Sequence, residues 1–226
     1  MPSQDRHLDA FLVRAAPGCA PTAALLIFHG RHETAADWIK VQSTLSRGCV
    51  SSLVLDYSGH GRSSPPGTIA HLDADAIAAY HAFLESFPGG RRCVLSHSLG
   101  AGPLLYALTH VAQQPDCAIV ASGYSSLRDL AVQGGLPRPL RFVLPDVWDN
   151  VVAAASVRGP LLWIHSRADA TIPIELGQRF YAAYAGDKSA LTLDRFGHNA
   201  IYQQIPDEIW SPILAFVRGS GRTNGR

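Results

Sequence analysis

The sequence predicts an α/β protein with a mostly parallel central sheet covered by helices on both faces. Short apolar runs alternate with longer amphipathic stretches along most of the 226 residues, which is typical of strands joined by helical crossovers. The runs are apolar throughout, as in strands that are buried on both faces. A chain of this length with 47% hydrophobic residues is large enough to form one core.

The apolar runs predict the buried strands in chain order. They lie at residues 24–28, 52–55, 93–95, 118–121, 161–165 and 190–193. Apolar residues at helical spacing predict helices at 34–46, 72–87, 99–113, 174–185 and 199–217. Residues 11–14 predict an antiparallel strand at the edge of the sheet.

The segment 122–159 has room for one helix near 147–157 and a Pro-rich loop over 134–139, but not for a cap of several helices. We therefore expect a short or absent cap and an open mouth over the site. The side chains expected around that mouth are Leu127, Leu136, Phe142 and Trp148. One domain is predicted over residues 1–217, and the polar residues 218–226 are predicted to form a disordered tail.

Composition excludes several classes of partner. The formal net charge is +1, and the sequence lacks the basic and aromatic clusters of nucleic-acid-binding proteins. No apolar run approaches the roughly 20 residues that span a bilayer, so integral membrane association is not expected. The first residues contain no leader-like apolar segment, and we expect a soluble, cytoplasmic protein.

The four cysteines, Cys19, Cys49, Cys93 and Cys117, are widely spaced and form no C-x-x-C pair. The last three lie in or beside predicted strands, where free cysteines are commonly buried. We therefore predict reduced thiols and no requirement for an oxidising compartment.

Sites in parallel sheets form at the carboxyl ends of the strands. The run 93–95 leads into Ser96-His97-Ser98-Leu99-Gly100, which resembles the G-x-S-x-G turn that holds a nucleophilic serine at a strained corner between a strand and a helix. Ser96 replaces the first glycine of that pattern. The turn makes Ser98 the candidate nucleophile.

A serine hydroxyl needs an imidazole to accept its proton and a carboxylate to orient that imidazole. His198 follows the last predicted strand, and Asp169 follows the strand at 161–165. The chain order Ser, Asp, His is that of hydrolases with a strand-to-helix nucleophile turn. Asp169 could instead cap a helix, and Asp194 is a competing carboxylate.

An oxyanion also needs two hydrogen-bond donors. The backbone N–H groups of Leu99 and Arg31 are the candidates, with Gly30 allowing a close backbone approach. Gly30, Tyr124, Leu127 and Trp148 are predicted to line the substrate pocket. No cofactor is expected, and no metal, because the histidines at 29, 32 and 60 lack HExxH spacing or a carboxylate cluster.

Several motifs together resemble the α/β-hydrolase-fold serine hydrolases. They are His29-Gly30, Asp56-Tyr57-Ser58-Gly59-His60-Gly61-Arg62-Ser63, Ser96-His97-Ser98-Leu99-Gly100, His165-Ser166-Arg167-Ala168-Asp169 and Gly197-His198-Asn199. The sequence departs from the usual family pattern at Ser96 and Ser166, where glycines are common, and at Ser58, where Arg or Pro is frequent. Asp149-Asn150 and the Gly-His-Asn ending are similar to the capless BEM46-like esterases and thioesterases.

The resemblance implies a hydrolase that cleaves esters or thioesters of short to medium acyl groups through an acyl-enzyme. Its substrate would be a small ester or thioester, or an acyl group on a larger carrier. A peptidase or amidase with the same three residues is the alternative within enzymes, because the attack chemistry is shared. A binding protein that retains the fold without turnover is the alternative outside enzymes. The oligomeric state and the natural substrate are not predicted.

Overall fold

The computed structural model describes residues 1–20, 22–145 and 147–220. The strands are β1 (Pro2–Ser3), β2 (Arg6–His7), β3 (Ala10–Val13), β4 (Ala23–Phe28), β5 (Val50–Leu55), β6 (Arg91–His97), β7 (Cys117–Ala121), β8 (Leu161–Ser166) and β9 (Lys188–Leu193). The helices are α1 (Ile39–Arg47), α2 (Ile69–Ser86), α3 (Ala101–His110), α4 (Leu127–Gln133), α5 (Asn150–Ala154), α6 (Ile174–Ala183), α7 (Ala200–Gln203) and α8 (Asp207–Val217). Short 3₁₀ turns cover Ala35–Trp38, Ser98–Gly100 and Arg138–Val143.

The strands β3 to β9 form one sheet in the order β3-β5-β4-β6-β7-β8-β9. The edge strand β3 runs antiparallel to β5, and the other neighbours are parallel. The prediction of a mostly parallel sheet with an antiparallel edge strand is therefore confirmed. The short β1–β2 hairpin was not predicted.

Each central strand is buried on both faces, which explains the continuous apolar runs. On one face, Leu26, Phe28 and Val94 pack with residues of α2, α3 and α6. On the other face, Leu25 and Ile27 belong to a second buried cluster, which includes residues of α1 and α8. The alternation along a single strand thus forms two cores with one sheet between them.

Several helices begin at the residues that cap them. The side chain of Thr68 accepts the backbone N–H of His71 before α2, and the side chain of Asp149 accepts that of Val151 before α5. The predicted helix 199–217 is divided into α7 and α8, because Pro206 stands between them and the residue before a proline avoids helical geometry.

The segment 122–159 also differs from the prediction. It holds two short helices, α4 and α5, with the 3₁₀ turn Arg138–Val143 between them, where one helix and a loop were expected. Ser126 N-caps α4, with its hydroxyl accepting the backbone N–H of Asp129. A signal of only seven residues is too short for helical periodicity to identify.

The prediction of reduced thiols is wrong. Cys93 and Cys117 form one disulfide, and Cys19 and Cys49 form another. The two residues of the first bridge lie opposite each other in the register of β6 and β7, a relationship that sequence spacing does not reveal. Disulfides are typical of oxidising compartments, so the cysteine pattern no longer supports a cytoplasmic location.

The end of the described chain is tied to the sheet domain. Arg218 donates a hydrogen bond to the carbonyl oxygen of Gly48, and the hydroxyl of Ser220 bonds to the carbonyl oxygen of Ala215. The remainder of the predicted tail, residues 221–226, lies outside the described residues. Within the described part of the chain, no helix is long and apolar enough to cross a membrane.

Candidate active site

Ser98 lies in a sharp turn between the end of β6 and the 3₁₀ turn that precedes α3. Its φ is +54°, a left-handed conformation that costs energy for a residue with a side chain. Gly100 makes the turn sterically possible, since a Cβ there would lie 2.2 Å from the carbonyl oxygen of Phe28. The hydroxyl of Ser96, by contrast, is buried without a hydrogen-bond partner.

The structure brings Ser98, His198 and Asp169 together. The Nε2 atom of His198 lies 2.9 Å from the Oγ atom of Ser98. On the other side of the same ring, Nδ1 lies 2.7 Å from Oδ2 of Asp169. Because a carboxylate can only accept, Nδ1 carries a proton and Nε2 of the neutral ring is free to accept from the serine hydroxyl.

Asp169 is buried, and its carboxylate has several donors. Its Oδ1 atom accepts the backbone N–H groups of Thr171 and Ile172. Burial raises the pKa of this carboxyl, but the hydrogen bond and charge of His198 and the backbone donors outweigh burial and lower it. Asp194, the competing carboxylate, is exposed and pairs with Arg167.

The predicted oxyanion donors lie in two different loops beside Ser98. Leu99 follows Ser98 at the start of a helical turn, where N–H groups have no intrahelical acceptor. Arg31 lies after β4, and its carbonyl oxygen accepts a hydrogen bond from Nε2 of His60 at 3.0 Å. Gly30 brings this loop close, since a Cβ there would lie 3.1 Å from the Cβ of Ser98.

A cavity of about 550 Å³ opens beside Ser98. Its lining residues are Arg31, His32, Glu33, Ser98, Leu99, Leu127, Leu130, Ala131, Gly134, Thr171, Ile172, His198, Asn199 and Tyr202. Leu127 was predicted to lie here, whereas Gly30, which was also predicted, is not part of the lining. Most of the wall from α4 was not predicted, because α4 itself was missed.

The structure does not place Tyr124 or Trp148 in this cavity. Tyr124 is fully buried, with its hydroxyl bonded to the carbonyl oxygen of Leu99. Trp148 donates its indole N–H to Asp73 and lines a separate cleft with Tyr106. Both predictions are wrong for the same reason, since both aromatic side chains turn towards the α3 side of the sheet.

The other two side chains expected around the mouth also lie elsewhere. Phe142 is 69% exposed, and neither Phe142 nor Leu136 belongs to the cavity lining. Both follow α4 on the outer surface, so α4 itself forms the wall that these residues were expected to form.

Two buried ionisable residues beside Ser98 were not predicted from the sequence. Nδ1 of His97 lies 2.7 Å from Oε1 of Glu33, and Nε2 of His97 lies 3.0 Å from the carbonyl oxygen of His198. His97 is the variable residue of the serine turn, and Glu33 lies three residues after the His29-Gly30 motif. The only sequence signal for a role of Glu33 and His97 in the site was that each lies in or close to a motif.

Comparison with known proteins places this sequence in a family. The sequence model of the Hydrolase_4 family, described as serine aminopeptidase, S33, matches residues 20–150. An uncharacterized protein of Mycobacterium tuberculosis is 31% identical over 153 residues, which are 66% of this chain and 53% of that protein. The lysophosphatidylserine lipase ABHD12 of Danio rerio is 26% identical over 183 residues, 73% of this chain and 48% of that protein. The chain thus spans about half the length of these relatives.

Among solved structures, a soluble variant of monoglyceride lipase from Saccharomyces cerevisiae, in complex with a substrate analog, has a TM-score of 0.79. The match covers 99% of this chain and 95% of that chain at 13% sequence identity. At this identity the likeness concerns the fold alone, and it confirms the predicted α/β-hydrolase fold. The narrower similarity to BEM46-like proteins stays a prediction.

Proposed function

The chain belongs to the serine aminopeptidase S33 family, and from this membership and the geometry around Ser98 we propose that it is a serine hydrolase that cleaves esters or thioesters. The observation that carries the proposal is the unbroken hydrogen-bond chain from Ser98 through His198 to Asp169. The family match ends at residue 150, so the roles of His198 and Asp169 rest on this chain of contacts.

The reaction begins when the Oγ atom of Ser98 attacks the carbonyl carbon of the substrate and His198 accepts the hydroxyl proton at Nε2. The resulting oxyanion accepts hydrogen bonds from the backbone N–H groups of Leu99 and Arg31. Collapse of this intermediate expels the alcohol or thiol, which takes the proton from His198, and leaves Ser98 acylated. A water molecule, deprotonated by His198, then releases the acid.

Asp169 keeps the imidazole in the correct tautomer and stabilises the imidazolium that forms. Its lowered pKa keeps the carboxylate ionised at neutral pH. The backbone donors from Thr171 and Ile172 hold its other oxygen, so the carboxylate cannot rotate away from His198.

The cavity lining supports a preference among acyl groups. The wall from α4 contributes Leu127, Leu130 and Ala131, whereas the loop after β4 contributes Arg31 and His32. An acyl chain of short to medium length fits the apolar wall, and the polar loop suits the alcohol or thiol portion. The named lipases among the comparisons act on lipid esters by their own descriptions, which supports an ester substrate.

A peptidase or amidase is the second candidate, because the matched family is described as a serine aminopeptidase. The same three residues serve either bond, since the tetrahedral intermediate is alike. Parallel assays with p-nitrophenyl butyrate, its thioester counterpart and an aminoacyl p-nitroanilide separate the three activities. Turnover of the anilide without turnover of the esters would replace the leading proposal.

The decisive test is Ser98→Ala with p-nitrophenyl butyrate and a fluorophosphonate probe. We expect the variant to lose turnover and labelling together, with an unchanged melting temperature. Ser96→Ala is the matched control, since it removes a neighbouring hydroxyl that has no partner, and it should retain both. Wild-type protein that neither turns over these substrates nor accepts the probe would favour the non-catalytic alternative.

A further inference from the structure

Glu33 and His97 are an acid and a base buried directly behind the nucleophile. Glu33 is 4% exposed and His97 is fully buried. Glu33 comes from the loop after β4 that carries Arg31, and His97 is the last residue of β6, next to Ser98. Neither side chain takes part in the proton transfer proposed above, so the burial of two ionisable groups here requires another explanation.

The hydrogen bonds of His97 define its protonation. Nδ1 faces a carboxylate oxygen of Glu33, and Nε2 faces the backbone carbonyl oxygen of His198. A carbonyl oxygen and an ionised carboxylate are acceptors only, so both ring nitrogens must donate. A histidine that donates from both nitrogens is an imidazolium.

Glu33 has enough donors to remain ionised. Its Oε2 atom accepts the indole N–H of Trp38 at 2.9 Å, while Oε1 accepts from His97. Burial raises the pKa of the Glu33 carboxyl, but the charge and hydrogen bond of His97, with two further N–H donors, outweigh burial and lower it to about 2. One of those donors is the backbone N–H of Gly30.

These contacts join three loops of the site. The Glu33 carboxylate packs closely against Gly30, where an added Cβ would lie 2.2 Å from its Oε1 atom, and Gly30 directly precedes the predicted oxyanion donor of Arg31. His97 joins Glu33 to the nucleophile turn, because it is the residue before Ser98. The second ring nitrogen of His97 fixes the carbonyl oxygen of His198, and so fixes the backbone from which the proposed base extends.

We propose that Glu33 and His97 are positioning residues, an ion pair that holds the oxyanion loop and His198 in register with Ser98. The proposal deepens the hydrolase function and rests on it for its catalytic consequence. The charge state of His97 can be measured without any turnover. A buried ion pair is costly when one partner is lost and contributes mainly to a unique geometry when both are present.

The pair also has an electrostatic consequence for the base. The rings of His97 and His198 have centroids 4.8 Å apart, so an imidazolium at His97 alone would oppose protonation of His198 during the reaction. The carboxylate of Glu33 compensates that charge. The other ionisable groups that face His198 are Asp169, from the loop after β8, and His165 within β8.

The first experiment measures the charge of His97 in the wild-type protein. Two-bond ¹H–¹⁵N correlation spectra of ¹⁵N-histidine-labelled protein report whether each ring nitrogen carries a proton, and His97→Gln assigns the signal. We expect both nitrogens of His97 to be protonated at pH 7, because each faces an acceptor. A neutral His97 ring at pH 7 overturns the proposal, whether or not the protein is an active hydrolase.

The second experiment measures the hydrolysis of p-nitrophenyl butyrate by Glu33→Gln. The number of active sites is determined by complete labelling with the fluorophosphonate, and kcat is expressed per labelled site. Without the carboxylate, His97 loses its proton and can no longer donate to both partners, so we expect kcat to fall about 100-fold with little change in KM. The same spectra should show a neutral His97 in this variant.

Arg6→Gln is the matched control, because it breaks the buried ion pair between Arg6 and Asp75 outside the site. It should lower the melting temperature and leave kcat per titrated site unchanged.

An unchanged kcat per titrated site in Glu33→Gln overturns the positioning role and leaves a purely structural one. A wild-type protein without esterase activity or labelling contradicts the proposed function instead, and the spectra then still decide the charge of His97.

Discussion

The Oδ2 atom of Asp169 lies 2.7 Å from Nδ1 of His198, although the two residues are 29 positions apart in the sequence. The other oxygen of the same carboxylate accepts the N–H groups of Thr171 and Ile172. Asp169 therefore shapes its own turn and orients the imidazole at once. The two interpretations of this aspartate from the sequence, a local cap and a catalytic acid, do not exclude each other.

Asp169→Asn should separate the two roles. The amide oxygen can still accept the backbone N–H groups of the turn, but the amide N–H₂ would face Nδ1 and favour the wrong tautomer of His198. We expect kcat for p-nitrophenyl butyrate to fall about 10⁴-fold, the size of effect known for this change in a serine protease. The melting temperature should change much less than the rate.

Asp194→Asn is the control for that prediction. Asp194 directly follows β9, in the loop that carries His198, but it is exposed and pairs with Arg167. Its replacement should leave kcat unchanged. A loss of activity in Asp194→Asn, with activity retained in Asp169→Asn, would reverse the assignment of the two carboxylates.

Gly100→Ala should prevent the nucleophile turn from closing. The added Cβ would lie 2.2 Å from the carbonyl oxygen of Phe28 and 2.8 Å from that of His29, and backbone atoms cannot move aside as a flexible side chain can. We expect a loss of about 2–4 kcal/mol in the free energy of unfolding, measured by urea denaturation.

The matched control is Gly89→Ala. A Cβ at Gly89 meets nothing within 4 Å, so the free energy of unfolding should stay within about 0.5 kcal/mol of the wild type. Equal effects of the two substitutions would show that the clash at Gly100 is not what makes the glycine necessary.

Stability towards acid should depend on Glu33. The pKa of its carboxyl falls from an ordinary value of 4.5 to about 2 in the folded protein. A lowered pKa means that the carboxylate stabilises the fold above pH 4.5 and that this contribution is lost as the pH falls towards 2. Glu33→Gln should therefore be less stable than the wild type at pH 6, with a difference that shrinks between pH 4.5 and pH 2.5.

Denaturant unfolding of both proteins across this pH range measures the difference. His97 lies in the same pair, so the comparison is made with His97→Gln as a third protein, which should show a similar loss of pH dependence. A constant difference between wild type and Glu33→Gln from pH 6 to pH 2.5 would contradict the lowered pKa.

The sequence was sufficient to predict the parts of the site that lie on strand ends. Ser98, Asp169 and His198 each follow a buried apolar run, and the carboxyl ends of parallel strands meet at one edge of the sheet. That rule needs no knowledge of side-chain packing. That the three side chains lie at the same edge of the sheet was therefore implicit in the order of motifs, whereas their distances come from the structure.

The parts that could not be predicted depend on packing between distant segments. Tyr124 follows β7 and Trp148 precedes α5, but neither side chain lines the cavity. No local sequence pattern encodes the direction in which these side chains point. Glu33 and His97 are ionisable residues that are buried beside the nucleophile. Their pairing depends on β4 and β6 being neighbours in the sheet, although 64 positions separate the two residues.

The disulfides give a prediction about the purified protein. Cys93 and Cys117 join neighbouring strands, and Cys19 and Cys49 join the loop after β3 to the turn that precedes β5. All four cysteines of the sequence are thereby used. Protein that is denatured without reductant should show no thiol that reacts with Ellman's reagent, and four after reduction.

Cys93→Ser combined with Cys117→Ser should lower the free energy of unfolding by about 3 kcal/mol, since the bridge closes a loop of 24 positions and restricts the unfolded chain. Cys93 lies within β6, and this strand leads directly into Ser98. The rate of fluorophosphonate labelling is therefore measured in parallel. Because the strands remain hydrogen-bonded without the bridge, labelling should proceed at the wild-type rate at 25 °C. Four reactive thiols in the denatured, unreduced protein would contradict both bridges and restore the prediction of reduced cysteines.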